Sequence, residues 1–516
     1  MQPLRLPTGI QSFVKIRTEG YAYVDKTPFI SALVKNGSYY FLSRPRRFGK
    51  SLFVDTLDCA FSGKRDLFSG LYLDTDEAGW DFTRIEPVLR IDFAGGSLRS
   101  VSDLTCRLTR ILDEWEERYE TGKTSGSPGD RLLSLIPKIS QITGRKVVIL
   151  VDEYDKPILD TINHPLIAIE MRDNLKDFYG AIKPLDPYLS FVFMTGVSKF
   201  AKAGIFSDLN NLNDITIDSR YSAICGYTQV DLETVFSDRL DAFDTDEVKE
   251  WYNGYSWTGD AVYNPFDILL LFDKKVFRPY WFETGTPTFL MKLWRTRPRL
   301  PAEYDGLIAG DELLGSFDPE HIRIETLLFQ AGYLTIQSFV SNPDEGTWYT
   351  LGFPNREVRE AFCRQILILL RDENEQGSLQ EIRRGIELAD TDQLRDILHD
   401  FFASIPHDNY RKNQISHFEG FYASVIYTCF ASLGYEVIPE DTTNKGRIDL
   451  TVRTKTGIWI FEFKVLGIDK SGEKSPLTQI QSRGYAEKYR SGTLPVHEIG
   501  IVFNPETRNI ERWEVG

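Results

Sequence analysis

A short loop near the N-terminus has the residue types that bind nucleotide phosphates. Gly49-Lys50-Ser51 matches the end of the P-loop pattern G-x-x-x-x-G-K-[ST], although Arg44 occupies the position of the first glycine. In such a loop, backbone N–H groups and a helix N-terminus surround the phosphates, the lysine reaches the β and γ phosphates, and the hydroxyl binds Mg²⁺. We predict that ATP is bound here by Arg44, Arg47, Phe48, Gly49, Lys50 and Ser51.

The residues around this tripeptide decide between two interpretations. By itself, Gly49-Lys50-Ser51 also fits an ordinary helix start with an exposed lysine, but a strand before it and the amphipathic run at 52–57 favour a nucleotide site. The loop arginines are unusual. Arg44, Arg46 and Arg47 either pair with phosphate charge or form a solvated basic turn, and the sequence supports both equally.

An acidic pair further along the chain completes the predicted site. Asp152 and Glu153 directly follow the apolar strand at 147–151. An aspartate at the carboxyl end of a strand can hold Mg²⁺, and the next glutamate can orient or deprotonate the attacking water. We therefore predict that Ser51 and Asp152 are metal ligands and that Glu153 is catalytic.

A further strand at 190–194 should lie beside the acidic strand. Thr195, at the end of that strand, is predicted to contact the γ-phosphate, with Ser198 as the alternative sensor. A plain turn at the end of the strand is an equally good interpretation.

The C-terminal part of the chain carries a second set of chemical groups. Asp449 lies in a predicted strand at 448–453, and the next strand returns past it with Glu462 and Lys464 on one face, because side chains alternate along a strand. Metal-dependent phosphodiester hydrolysis needs carboxylates that converge on Mg²⁺ and a cation near the attacking water. We predict that Asp449, Glu462 and Lys464 are catalytic and that both carboxylates bind metal.

A surface hairpin with an ordinary ion pair would show the same spacing. However, the run Ile458–Phe461 is strongly apolar, so Glu462 and Lys464 follow a buried segment, where unpaired charge is costly. That cost favours a functional site.

The elements that must position these groups follow from the apolar pattern. The strands predicted in the N-terminal part are residues 39–42, 88–93, 147–151 and 190–194. The last two are uninterrupted apolar runs, which is typical of a parallel sheet covered on both faces. A helix should start near Gly49, and the Gly-, Ser- and Pro-rich stretch 120–129 should be an exposed loop.

At 516 residues the chain is too long for one core, and we predict an α/β protein with three regions. Residues 1–225 should form a P-loop NTPase domain with a parallel sheet, and residues 226–410 a mainly helical connecting region. Residues 411–516 should form a separate α/β module. Its predicted elements are helices at 418–433 and 477–490 and strands at 436–439, 448–453, 458–464 and 498–503.

Composition limits the classes of function. A net charge of −15 excludes a uniformly basic coat for nucleic acid, but residues 441–490 contain ten Lys or Arg against six acids. The five cysteines are scattered and form no C-x-x-C pair, which fits thiols in a reducing compartment. Neither a secretion signal nor a run of about 18 apolar residues is present, so we expect a cytoplasmic protein without a membrane partner.

Several motifs together resemble a known family, the bacterial AAA-ATPase-like proteins that end in a PD-(D/E)XK nuclease-type domain. The motifs are Tyr23–Thr27, Arg44–Ser51, Val151–Asp155, Thr195–Lys199, Trp251–Tyr255, Asn264–Phe266 and Leu351–Asn355. The family's own loop is R-P-R-R-F-G-K-S, so Arg44 departs from the general P-loop but not from these relatives. The resemblance implies a restriction-endonuclease-like fold for the C-terminal domain.

The resemblance also implies further groups at the nuclease-type site. In this fold the preceding helix supplies another metal carboxylate, which would be Glu419 here. Gln479 or Gln481 with Tyr485 is similar to the Q-x-x-x-Y element of some relatives, although polar residues on a helix usually face water. Ile448 stands where the motif has proline, which weakens the likeness more than the chemistry.

These sites predict a protein that binds and hydrolyses ATP and cleaves phosphodiester bonds with Mg²⁺. Nucleic acid is the expected partner, with DNA preferred, and the sequence leaves a homo-oligomer open. One alternative is a nucleotide-dependent switch whose nuclease-like domain only binds nucleic acid or a protein partner. A second is a plain ATPase that acts on protein partners through the middle region.

Overall fold

The structure is a computed structural model, and it describes residues 4–199, 209–285, 301–311, 323–342, 344, 346–371, 376–406, 419–467 and 475–516. The chain divides into two compact units, the first formed by Met1–Trp294 with Ile308–Asn355 and the second by Arg295–Leu307 with Arg356–Gly516. The predicted boundaries at residues 225 and 410 fall inside these units, so the three-region division stays a prediction.

A five-stranded parallel sheet organises the first unit. Its strands are β1 (Tyr39–Ser43), β2 (Val88–Asp92), β3 (Val147–Asp152), β4 (Leu189–Gly196) and β5 (Asn213–Asp214), in the order β2-β3-β4-β1-β5. Every residue of β3 is buried, which explains its continuous apolar run. Because the strands are parallel, the loop after β1 and the acidic pair after β3 lie at the same edge, with β4 beside the acidic strand as predicted.

Helices cover this sheet and continue past residue 225. They are α1 (Phe13–Thr18), α2 (Thr27–Asn36), α3 (Lys50–Phe61), α4 (Val101–Arg118), α5 (Pro128–Thr143), α6 (Lys156–Thr161), α7 (Pro165–Gly180), α8 (Gln229–Val235), α9 (Ser237–Leu240), α10 (Thr245–Tyr252), α11 (Pro265–Lys274), α12 (Tyr280–Gly285) and α13 (Ile324–Ala331). Helix α3 begins directly after Gly49, as predicted. The predicted loop at 120–129 is shorter, because Ser127 caps α5 and Pro128 is its first residue.

The segment after residue 225 shares a hydrophobic core with the N-terminal segment. Ala22 and Val24 belong to the same buried cluster as Trp251, Tyr252 and Ile268. The middle of the chain is helix-rich, as predicted, but it also contains an unpredicted three-stranded sheet. The strands of that sheet are β6 (Leu307–Gly310), β7 (Thr335–Asn342) and β8 (Gly346–Gly352).

A mixed five-stranded sheet forms the centre of the second unit, with the order β13-β12-β11-β10-β9. Its strands are β9 (Glu436–Thr443), β10 (Gly446–Arg453), β11 (Ile458–Val465), β12 (Val496–Asn504) and β13 (Asn509–Val515), and the helices of the unit are α14 (Arg356–Arg371), α15 (Gln376–Glu387), α16 (Thr391–Ala403), α17 (Glu419–Ser432) and α18 (Pro476–Arg483). The predicted helix at 477–490 is interrupted, because Gly484 adopts φ 60 and ends α18 before a short 3-10 turn. Strand β13 was not predicted.

Among the described residues, no helix combines the length and the apolar character needed to cross a bilayer.

Candidate functional site

The loop between β1 and α3 borders a cavity of about 630 Å³. The predicted residues that line this cavity are Arg47, Phe48, Gly49, Lys50, Ser51 and Glu153. Gly49 adopts φ 95, a left-handed conformation that glycine tolerates, and the space where a side chain would point is open. The loop therefore presents backbone and helix α3 to the cavity without obstruction.

Lys50 extends its ammonium across the loop. Its Nζ donates hydrogen bonds to the carbonyls of Arg44 and Pro45, at 2.9 Å each, and its side chain is buried. Burial lowers the pKa of Lys50, and the nearby Asp152 carboxylate opposes this shift. The ammonium is thus held at the loop by carbonyl oxygens that an entering phosphate would replace.

Arg44 is not directed toward the cavity. Its guanidinium donates to the carbonyls of Ser43 (2.9 Å), Thr216 (2.8 Å) and Tyr221 (3.1 Å), and its Cζ lies 4.0 Å from the centre of the Trp257 ring. Burial lowers the pKa of Arg44 to about 10, which still leaves it charged near neutral pH. Arg44 was predicted to bind nucleotide, and the structure instead places it as an internal support of the loop.

Phe48 fixes the middle of the loop. It is 1% exposed and makes edge-to-face contacts with Tyr255 and Trp257, at centroid distances of 4.8 and 5.6 Å. Its carbonyl accepts a hydrogen bond from the amide of Gly226 (3.0 Å). The family motif at 251–255 therefore supports the phosphate loop, a role that the sequence alone did not indicate.

Asp152 ends β3 and is fully buried. Within the described part of the chain, neither of its carboxylate oxygens accepts a hydrogen bond, and Arg90 Nη2 lies 4.0 Å from Oδ2. Burial raises the pKa of Asp152, opposed by the nearby Ser51 hydroxyl, whose geometry falls short of a hydrogen bond, and by the Lys50 charge. Asp152 is thus a buried carboxylate with cations nearby but, among the described residues, no hydrogen-bond donor.

Glu153 follows in a left-handed conformation, φ 53, which is unusual for a residue with a side chain. It is half-buried and lines the cavity. Burial raises its pKa, and the charge of Lys50 lowers it. A glutamate with a raised pKa is a stronger base, as the predicted role requires.

The end of β4 departs from the prediction. Thr195 is buried and donates its hydroxyl to the carbonyl of Leu42 (2.8 Å), so it joins β4 to β1 and does not line the cavity. Asp155, for which no role was predicted, lines the cavity and accepts hydrogen bonds from the amides of Val197 (3.0 Å) and Ser198. Asp155 therefore fixes the turn after β4 against the acidic segment.

Apolar residues form another part of the cavity wall. They come from the N-terminal segment and from α11, and include Ile10, Ala22, Val24, Phe266 and Leu269. No sequence pattern pointed directly to these walls, because they are far from the loop in the chain. Only the motifs at 23–27 and 264–266 pointed to the segments involved.

The donor groups fit a nucleotide with Mg²⁺. A cavity of about 630 Å³ has the size of a small-ligand site. Its phosphate end has an open loop and a lysine, and Mg²⁺ prefers oxygen ligands such as those of Ser51 and Asp152. The Asp152 oxygens without hydrogen bonds are what a metal ion or its water shell would complete.

In the second unit, the β10–β11 hairpin brings the predicted nuclease residues together. The register pairs Leu450 with Phe461, which places Asp449 beside Glu462. Asp449 Oδ2 accepts a hydrogen bond from the amide of Phe463 (2.7 Å). Lys464 Nζ lies 3.7 Å from Glu462 Oε1, and the two side chains are 13% and 1% exposed.

Helix α18 adds a glutamine to this hairpin, and the 3-10 turn after the helix adds a tyrosine. Gln479 Nε2 donates to Glu462 Oε1, whereas Gln481 is exposed, so Gln479 is the amide at the site. Tyr485 is buried, and burial together with the charges of Glu462 and Asp449 raises its pKa. Its hydroxyl thus lies near both carboxylates.

Two carboxylates are a plausible donor set for Mg²⁺, which usually keeps waters and substrate phosphate oxygens as its other ligands. Glu419 is the first residue of α17, and its side chain lies outside the described part of the structure. In the parts of the chain that the structure covers, no group of three or more His, Cys, Asp or Glu side chains is arranged to hold a metal. Asp449 and Glu462 therefore fit a Mg²⁺ ion whose other ligands are waters and phosphate oxygens of the substrate.

The basic segment at 441–490 is largely neutralised by its own acids. Lys445 lies 2.9 Å from Glu487, Arg447 lies 2.6 Å from Glu440, and Lys488 pairs with Asp441. Among the described cations of this segment, those without an ion pair are Lys455, Arg483 and Arg490. The positive charge that this segment offers to a polyanion is therefore smaller than its number of Lys and Arg residues implies.

Comparisons with known proteins match both types of domain. A family model described as predicted AAA-ATPase matches residues 7–206, and one described as PD-(D/E)XK nuclease superfamily matches residues 417–513. An uncharacterized protein in the vnfD 5′ region of Azotobacter chroococcum mcd 1 is 46% identical over 516 residues, covering 99% of this chain and 98% of that protein. No solved structure matches significantly. The chain therefore belongs to a family of predicted AAA-ATPases that carry a C-terminal domain of the PD-(D/E)XK nuclease superfamily.

Proposed function

We propose that this protein binds and hydrolyses ATP with Mg²⁺ at the loop after β1, and that its C-terminal domain hydrolyses phosphodiester bonds in DNA. The observation that carries the first half is the state of Asp152. A buried carboxylate without hydrogen-bond partners costs free energy, and a cation beside Ser51 and Lys50 would remove that cost.

Each residue of the nucleotide site then has a role. Lys50 leaves the carbonyls of the loop and binds the β and γ phosphates, while Ser51 and Asp152 hold Mg²⁺. Bound Mg²⁺ would neutralise phosphate charge during hydrolysis. Glu153, whose pKa is raised by burial, orients the water and accepts its proton.

The second half of the proposal rests on the burial of Glu462. A glutamate that is 1% exposed, opposite Asp449 and next to a lysine, is expensive to maintain in a purely structural hairpin. Asp449 and Glu462 would hold the metal, which activates water and stabilises the scissile phosphate. Lys464 orients the attacking water, and Gln479 fixes the Glu462 carboxylate.

The test is cleavage of duplex DNA, single-stranded DNA and RNA with Mg²⁺, each with and without ATP. Wild type is compared with Asp449→Ala, Lys50→Ala and the control Asp396→Ala, which removes an exposed carboxylate of the same unit. We expect Asp449→Ala to abolish cleavage of DNA and Asp396→Ala to leave it intact. The response to Lys50→Ala shows whether the two sites are coupled.

A nucleotide-dependent switch whose C-terminal domain only binds its partner is the second candidate. The ion pair of Lys464 with Glu462 and the neutralised basic segment both favour it. Wild type that hydrolyses ATP but cleaves none of the three polymers would establish this alternative.

A further inference from the structure

Five cations line the nucleotide cavity, and most of them already have a partner. The five are Lys26, Arg46, Arg47, Lys50 and Lys156. Lys26 Nζ lies 2.9 Å from an Asp231 oxygen, and Lys156 Nζ lies 2.5 Å from an Asp160 oxygen. Lys50 donates hydrogen bonds to two carbonyls, and the Arg47 guanidinium lies 4.6 Å from the centre of the Phe266 ring.

Arg46 differs from these cations. Its side chain is exposed at the cavity and forms no ion pair or hydrogen bond with any residue that the structure describes. Its main chain is fixed, because its carbonyl accepts a hydrogen bond from Nε1 of the buried Trp281 (3.1 Å). The fixed backbone holds this arginine at the cavity, and among the described residues its guanidinium has no partner to give up when it binds a ligand.

Two features of the loop indicate that an additional cation is needed at the phosphates. Pro45 has no backbone N–H, so the loop offers one donor fewer to the phosphates. Arg44, in the position of the first P-loop glycine, directs its guanidinium to three internal carbonyls. A guanidinium beside the γ-phosphate would replace the missing donor and add a full charge.

We propose that Arg46 contacts the γ-phosphate and stabilises the charge that develops there during hydrolysis, as an arginine supplied by the same chain. The inference rests on the proposed ATPase activity. Water attacks the γ-phosphorus, the bond to the β,γ-bridging oxygen breaks, and its electron pair leaves with ADP, while Glu153 accepts the proton of the water. Arg46 acts as a fixed charge throughout and exchanges no proton.

The test uses the full chain and separates binding from turnover. Equilibrium affinity for ATP and the single-turnover rate with Mg²⁺ are measured for wild type, Arg46→Ala, Arg46→Lys and Arg145→Ala. Arg145 is an exposed arginine that precedes β3, at the opposite edge of the sheet from the cavity. We expect Arg46→Ala to lower the rate about 10³-fold while the ATP Kd rises less than about tenfold, because the contact strengthens in the transition state.

Arg46→Lys should recover part of the rate, and Arg145→Ala should match wild type. A rate for Arg46→Ala within about threefold of wild type overturns the inference and leaves the proposed ATPase intact. Wild type that binds ATP without hydrolysing it overturns the proposed function and this inference with it.

Mixing variants tests whether the arginine acts within its own chain. A Lys50→Ala chain retains Arg46 and could supply it to the site of an Arg46→Ala chain in an oligomer. We expect the equimolar mixture to hydrolyse ATP no faster than its Arg46→Ala component. Restored hydrolysis would show that Arg46 serves a neighbouring copy and would contradict the proposal.

Discussion

Two buried aspartates of this protein have opposite surroundings. Asp441 accepts hydrogen bonds from Thr451 (2.8 Å), Lys488 and Tyr489, and these donors outweigh burial and lower its pKa. Asp152 accepts none among the described residues, and burial raises its pKa. The first stabilises the fold, whereas the second costs free energy until a ligand arrives.

We therefore predict that Asp152→Asn stabilises the protein in the absence of nucleotide and metal. The neutral amide removes a buried charge, and we expect a gain of about 1 kcal/mol with a rise in Tm of about 2–4 °C, together with loss of ATP hydrolysis. Thermal unfolding without nucleotide or metal measures the first effect. Asp441→Asn is the matched control and should lower Tm, because Thr451, Lys488 and Tyr489 stabilise the charge of this buried carboxylate.

The same carboxyl group gives this prediction a pH dependence. Because the folded-state pKa of Asp152 is raised above its unfolded value, its contribution to stability is present below the unfolded pKa and is lost as pH rises through the folded pKa. The stability difference between Asp152→Asn and wild type should therefore grow as pH rises across that window. A difference that is constant with pH would contradict the assignment.

At the scale of elements, the loop between β1 and α3 holds its shape with side chains where other P-loops use glycine. Arg44 binds three carbonyls that come from β1 and from the segment after β5, and Phe48 packs on two aromatic rings. The phosphate loop is thus joined to residues 216–257, which lie far from it in sequence.

Restoring the general P-loop pattern with Arg44→Gly is predicted to damage this protein. Three buried carbonyls each lose a hydrogen bond and the loop gains backbone freedom, so we expect a loss of about 3 kcal/mol in the free energy of unfolding and weaker ATP binding. Chemical denaturation and ATP binding measure the two effects. Arg46→Gly introduces the same freedom two residues later without breaking these bonds, and equal destabilisation by both variants would contradict the role of Arg44.

Some elements could be predicted from the sequence, whereas the roles of some residues could not. Strands β1, β3 and β4 were predictable because a strand covered on both faces is mainly apolar, and the β10–β11 hairpin because alternation determines which side chains share a face. The role of Arg44 was not predictable, since its partners are carbonyls that have no sequence signature. Thr195 was misplaced for a similar reason, because its hydroxyl binds a neighbouring strand instead of facing the cavity.

At the scale of the whole molecule, charge limits how the protein can bind nucleic acid. The net charge of −15 repels a polyanion. In the basic segment at 441–490, Lys445, Arg447 and Lys488 form ion pairs with nearby acids. Three described cations of that segment have no ion pair. Since each phosphate contact contributes about −0.9 to the slope of log K against log salt, we expect a slope of only about −3 for duplex DNA.

We predict that breaking the ion pair between Lys445 and Glu487 steepens the salt dependence of DNA binding. Glu487→Gln releases Lys445 from its partner 2.9 Å away, and the freed lysine should add one phosphate contact and steepen the salt slope by about 1. Fluorescence anisotropy with duplex DNA between low and moderate salt measures the slope, in an Asp449→Ala background that prevents cleavage.

Glu511→Gln is the control, because it removes one negative charge at an exposed position whose partner is the amide of Asn504 and so frees no cation. If both variants steepen the slope equally, net charge rather than the freed lysine determines binding. If neither changes it, the basic segment does not contact DNA, and the binding surface must be sought elsewhere on the chain.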